Sequence, residues 1–137
     1  MSGDTAYSKR TLAEKLGLKA GQTVCLLNAP PDYLEKLGPL PAGLELRPGL
    51  AGPLDFIQYF TTQAADLADN FPALKNNLSL QGQLWIGWPK SSAKIARDLN
   101  ENQVRAIGLA NGLVDVKVIS VDQSWSGLKF VYRLKDR

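Results

Sequence analysis

The residues able to do chemistry in this 137-residue chain gather where its apolar runs end. Asn28-Ala29-Pro30 follows the run Val24-Cys25-Leu26-Leu27, with Tyr33 just beyond it. Thr61-Thr62 follows Leu54 to Phe60, and Trp88-Pro89-Lys90-Ser91-Ser92 follows Leu84-Trp85-Ile86. An amide, paired hydroxyls, an ammonium, a phenol and an indole could together hold a small anionic or planar ligand. Lys90 would attract it as a point charge, and Ser91 and Ser92 would donate near a helix start. Each group also has a plainer use. Asn28 can satisfy loop backbone, either serine can cap a helix, Trp88 can cover the end of a sheet, and Tyr33 can pack on Leu37. A second candidate, Trp125 to Lys129, suits a protein partner because Trp is enriched at interface hot spots. It suits equally a Trp folded back over the core edge.

What is missing narrows the chemistry further. The chain has no His, which removes the commonest general base and metal ligand. Its single Cys25 lies inside an apolar run and reads as a small buried hydrophobe. Zinc fingers, Cys–His proteases and Ser-His-Asp hydrolases are thereby excluded, and no metal set is expected. Asp66 and Asp69 read as a solvated helix face. Asp55, near the start of a buried strand, should pair with a lysine or cap a backbone N–H. The net charge of +3 is scattered, so no nucleic-acid partner is expected. No apolar run approaches the ~18 residues of a membrane span, and the N-terminus lacks a signal-peptide core. A cytoplasmic location is therefore expected.

The elements that must position these groups follow from pattern and punctuation. Residues 1–10 read as a flexible end, and 11–137 as one domain. Thr11-Leu-Ala-Glu14 is a capping box that opens a short helix ending at Gly17. A strand at Val24 to Leu27 is stopped by Pro30-Pro31, a helix covers Asp32 to Leu37, and Leu44 to Leu46 is a short edge strand. Leu54 to Phe60 is a strand by β propensity. Thr61 or Thr62 can cap the helix after it, which Pro72 should interrupt. Gln81-Gly82 should turn the chain into a strand over Gln83 to Trp88. Asn100 to Gln103 is a second capping box, for a helix that ends at Asn111-Gly112. Val114 to Val121 and Leu128 to Leu134 form a closing hairpin, with Trp125 in its connection. The order β-α-β-β-α-β-α-β-β implies a three-layer, Rossmann-like α/β fold. Its sheet is mostly parallel with a C-terminal antiparallel hairpin. Ligands of such sheets sit beyond the carboxyl ends, where strand order reverses; the first and fourth strands should flank that point.

Three blocks carry a resemblance: Leu54-Asp-Phe-Ile, Leu74 to Ile86, and Gly112-Leu-Val-Asp-Val-Lys-Val. In this order they resemble the second half of class I S-adenosylmethionine-dependent methyltransferases. The chain is also similar to a family of small bacterial proteins known as a domain of unknown function. That similarity runs through Lys19 to Val24, Leu27-Asn-Ala-Pro, Gly38-Pro-Leu-Pro, Trp88-Pro-Lys-Ser-Ser92 and Trp125 to Arg133. The first resemblance implies a glycine-rich cofactor loop where Asn28-Ala-Pro-Pro31 stands, and an acidic ribose ligand where Arg47 stands. Only seven residues, Arg47 to Pro53, separate the second and third strands, so one sheet edge should be missing. These departures lead to an expectation of a non-catalytic ligand- or protein-binding domain with no cofactor, S-adenosylmethionine included. The alternative is a divergent transferase acting on a small anionic substrate. A homodimer through the antiparallel edge is left open.

Overall fold

A computed structural model describes residues 10–137. Of the expected N-terminal tail, all but Arg10 lies outside the described residues. The elements are α1 (Leu12–Leu16), β1 (Thr23–Leu27), α2 (Tyr33–Leu37), β2 (Glu45–Arg47) and β3 (Leu54–Phe60). After them come α3 (Ala64–Asn76), β4 (Leu78–Pro89), α4 (Glu101–Ala110), β5 (Leu113–Ser120) and β6 (Trp125–Tyr132), with a final 3₁₀ turn at Leu134–Asp136. The strands form one six-stranded sheet in the order β2-β1-β3-β4-β6-β5. The first four are parallel, and β6 runs antiparallel to both β4 and β5. The architecture is the mostly parallel α/β sheet with an antiparallel C-terminal pair that the element order implies.

Two apolar layers cover the sheet. On one face α1 and α2 bury Leu16, Tyr33 and Leu37 against Val24, Phe56, Phe60 and Trp85. On the other, α3 and α4 bury Leu67, Phe71, Leu74 and Val104 against Cys25, Ile57, Leu84 and Phe130. Each such side chain adds about 1.5–3 kcal/mol by leaving water. Both capping boxes form: Thr11 with Glu14 at α1, and Asn100 with Gln103 at α4. Asp55 takes the capping role, its Oδ2 accepting the Thr23 N–H at 2.9 Å and the Thr23 hydroxyl at 3.1 Å. Burial pushes the Cys25 thiol above its usual pKa, as an unreactive core thiol requires. Among the described residues, no helix is long and apolar enough to cross a membrane.

Several local expectations need correcting. Pro72 does not interrupt α3, because the carbonyl it leaves unbonded, that of Ala68, is on the exposed side. Leu67, Phe71 and Leu74, all buried, hold the helix to the sheet on the other side. Gln81-Gly82 is not a turn between elements but part of a twelve-residue β4, which bulges against β3 so that Leu54 pairs with Leu78 and Phe56 with Gln83. The last strand starts at Trp125, earlier than apolarity alone indicates. Asp122 makes the turn before it, Oδ1 accepting the N–H groups of Ser124 at 2.8 Å and Trp125 at 2.9 Å. On α4, Leu109 is 41% exposed, whereas Gly108 faces the core.

Candidate functional site

Strand order reverses between β1 and β3: the chain moves outward from β1 to β2, then returns to lay β3 on β1's other side. The fourth strand is one place further in, so β1 and β3, rather than β1 and β4, flank the switch point. Both strands end in polar residues there. Asn28 leaves β1 with φ of 58°, and Asp32 repeats that left-handed turn at 61° before α2. The tight turn that glycine usually supplies is thus made by Asn and Asp, the residues that tolerate it best. Asn28 also reaches across, its Nδ2 donating to the Phe60 carbonyl at 3.3 Å, which fixes the β1 loop to the end of β3.

Beyond β3 the chain enters α3 without a side-chain cap from Thr61 or Thr62; Gln63 holds the cap position. The first turn of α3 is served from a distance. Asp98, in the loop between β4 and α4, accepts the Ala64 N–H at 2.7 Å and donates its own N–H to the Thr62 carbonyl at 3.1 Å. Thr61 is then free for another partner: its hydroxyl donates to Asp66 Oδ2 at 2.6 Å, and the Tyr59 hydroxyl donates to the same oxygen at 2.7 Å. Burial, followed by the neighbouring Asp66, raises the Tyr59 phenol far above its usual pKa, so it stays a donor. Asn70 completes the set, its amide donating to Asp66 Oδ1 at 3.1 Å.

Thr61 and Asp66 border a cleft of about 300 Å³ together with Asn28, Phe60, Thr62, Gln63 and Trp125. One wall is aromatic. Phe60 sits edge-on between Tyr33, 5.1 Å away, and Trp125, 5.3 Å away. Trp125 therefore packs over the core edge and closes one side of this cleft. Asp66 is the residue that sequence reasoning missed. Its position among Ala and Leu reads as a solvated face, and only the β3–α3 junction folds it back onto Tyr59 and Thr61. The available signal was its place in the first turn of a helix directly after a buried strand.

The remaining candidates divide between two other hollows. Ala29, Pro30 and Tyr33 border one of about 320 Å³ together with Leu26, Leu34, Leu46 and Arg47. Tyr33 points its hydroxyl inward, donating to Gln58 Oε1 at 2.8 Å. Arg47 is occupied by Glu45 Oε2 at 2.9 Å and the Ala51 carbonyl at 2.8 Å. Trp88, Lys90, Ser91 and Ser92 border a third hollow of about 390 Å³ with Arg97 and Glu101. Lys90 donates to Ser120 Oγ at 2.6 Å, and Arg97 binds the carbonyls of Ser91, Ala93 and Ile95. Ser91 and Ser92 lie in a turn, whereas the following helix is capped by Asn100. Lys129 stands apart, its ammonium 6.0 Å from the Trp85 ring centre and its pKa lowered by burial, then by Lys117 and Lys19.

No family model matches the chain, and no curated protein does. Solved structures do. An S-adenosylmethionine-dependent methyltransferase from Aquifex aeolicus matches with a TM-score of 0.61 at 17% identity, over 85% of each chain. A TehB-like methyltransferase from Corynebacterium glutamicum matches at 0.58 and 12% identity, over 89% of this chain and 85% of that one. Magnesium protoporphyrin IX methyltransferase of Synechocystis PCC 6803, with bound SAH, matches at 0.56 and 12% identity, over 89% of this chain and 78% of that one. A second structure of that enzyme holds SAM. The expectation that the chain takes no cofactor is corrected here: the scaffold it shares is one on which S-adenosylmethionine is bound. At these identities the likeness is one of fold, and the chain carries the Rossmann-like fold of these methyltransferases.

Proposed function

We propose that the protein binds a small ligand of the S-adenosylmethionine class in the cleft at the carboxyl ends of β1 and β3. The observation that carries this reading is the convergence of Asn28, Thr62 and Asp66 on one cleft at the switch point of the sheet. An amino acid moiety carries an ammonium and a carboxylate. Asp66 suits the first, and the Asn28 amide with the Thr62 hydroxyl suits the second. The apolar hollow bordered by Ala29 and Pro30, with Arg47 at its edge, suits a flat base. S-adenosylmethionine would bring an electrophilic methyl group to this site. The groups of this chain that border the cleft bind and orient, which favours a ligand-binding domain over a transferase.

Isothermal titration with S-adenosylmethionine and its demethylated product tests the reading. Binding is expected for the wild type. Asp66→Asn is expected to weaken it about tenfold or more, as loss of a charge-assisted hydrogen bond would. Thr62→Trp, which fills the cleft from its rim, should abolish it. Titrations that stay flat for the wild type, or binding that survives Thr62→Trp, would overturn the proposal. Methyl transfer to a small anionic acceptor, seen as production of the demethylated product, would put the transferase first.

A further inference from the structure

We propose that β2 is the interface of a two-fold symmetric homodimer, in which Leu46 pairs antiparallel with Leu46 of a second copy and one sheet runs through both. This proposal shares the hollow beside Leu34 and Leu46 with the ligand reading but is argued from the strand edge and does not rest on that reading. Among the described residues β2 has a partner on one side only, since it ends the strand order. The N–H of Glu45 is spent inward on the Gln22 carbonyl at 2.8 Å. Alternation along the strand then turns both the N–H and the C=O of Leu46 outward. An antiparallel pair centred on Leu46 exchanges both of these bonds across the two-fold axis. Pro48, with no N–H, ends the ladder on each side.

The same register makes the side chains self-complementary. With Leu46 on the axis, Glu45 lies opposite the partner's Arg47, and Arg47 opposite the partner's Glu45. These are non-hydrogen-bonded positions, where side chains come closest. The Glu45–Arg47 pair at 2.9 Å within one chain thereby becomes two pairs between chains. On the α2 side of the sheet, Leu46 is 43% exposed and Leu34 53% exposed, both beside the apolar hollow above Leu26. A two-fold axis normal to the sheet sets the two hollows side by side, each copy covering the other's leucines. The opposite edge is defended. Strand β5 is bulged between Asp115 and Lys117 and carries that lysine in its exposed centre.

Sedimentation equilibrium across micromolar to millimolar concentrations reads the association directly. The wild type is expected to be a reversible dimer. Leu46→Pro removes only an outward N–H, on an edge strand that tolerates proline, and should give a folded monomer. Glu45→Arg sets like charges opposite each other and should weaken the dimer at least about tenfold, equivalent to about 1.4 kcal/mol. Glu45→Arg with Arg47→Glu restores complementarity and should restore association. A monomeric wild type, or a Glu45→Arg dimer as tight as the wild type, would overturn the proposal even if Leu46→Pro failed to fold.

Discussion

Gln58 is buried completely, and among the described residues its Nε2 has no hydrogen-bond partner, while its Oε1 accepts from Tyr33. Removing the Tyr33 hydroxyl leaves Gln58 Oε1 unpaired as well, costing about 1–3 kcal/mol, whereas removing Gln58 exchanges its orphaned Nε2 for an orphaned Tyr33 hydroxyl; removing both leaves none. Tyr33→Phe is therefore expected to lower stability by that order, Gln58→Leu to change it little, and the double variant to be at least as stable as the wild type in urea unfolding. Asp122 supplies a second test. Desolvation pushes its carboxyl up, but the N–H groups of Ser124 and Trp125 and the Lys36 ammonium, 3.0 Å away, outweigh this and hold it below its usual value. A carboxyl held lower in the folded than in the unfolded chain adds stability that is present above the unfolded pKa, about 4, and lost as pH falls through the folded one. Asp122→Ala should thus cost about 1 kcal/mol at neutral pH, and the gap to the wild type should narrow in acid. At this scale the sequence was least informative. Thr61 and Thr62 stood out as hydroxyls at a strand end, but their neighbour Asp66 did not. Nothing local shows that Asp98, more than thirty residues on, relieves the threonines of capping α3.

Elements were far more legible, because their signals are local. The two capping boxes and the stops at Gly17 and Asn111-Gly112 mark helix ends directly. The errors came where packing overrides punctuation. Pro72 sits mid-helix on the exposed side, so its cost is borne by the buried Leu67, Phe71 and Leu74. Pro72→Ala is expected to raise stability, by up to about 3 kcal/mol, in the same unfolding measurement. Gly108 makes the opposite point. A Cβ there would land on the Phe130 ring, so α4 sits close to β6 only because the residue is glycine. Gly108→Ala should destabilise the domain by about 1–3 kcal/mol despite the better helix propensity of alanine. Near-ultraviolet circular dichroism should report the displaced aromatic packing of Phe130 and Phe71, whose rings lie 5.6 Å apart.

For the whole molecule, strand order decides where chemistry is possible. The element sequence implied a reversal in the sheet, and the short step from Arg47 to Pro53 implied a sheet with one edge cut back. What could not be read along the chain was that β3 separates β1 from β4. The anticipated single crevice is instead three hollows, with Asn28 and the threonines in one and Lys90 in another. The first of these is the proposed site for a ligand of the S-adenosylmethionine class. Its most direct test is a titration of the ¹⁵N-labelled protein with S-adenosylmethionine, followed by amide and indole shifts. Saturable changes are expected to concentrate at Asn28, Thr61, Thr62, Gln63 and the Trp125 indole, and to be absent in Thr62→Trp. A spectrum that does not change, or changes concentrated on the Lys90–Arg97 loop, would contradict the proposal.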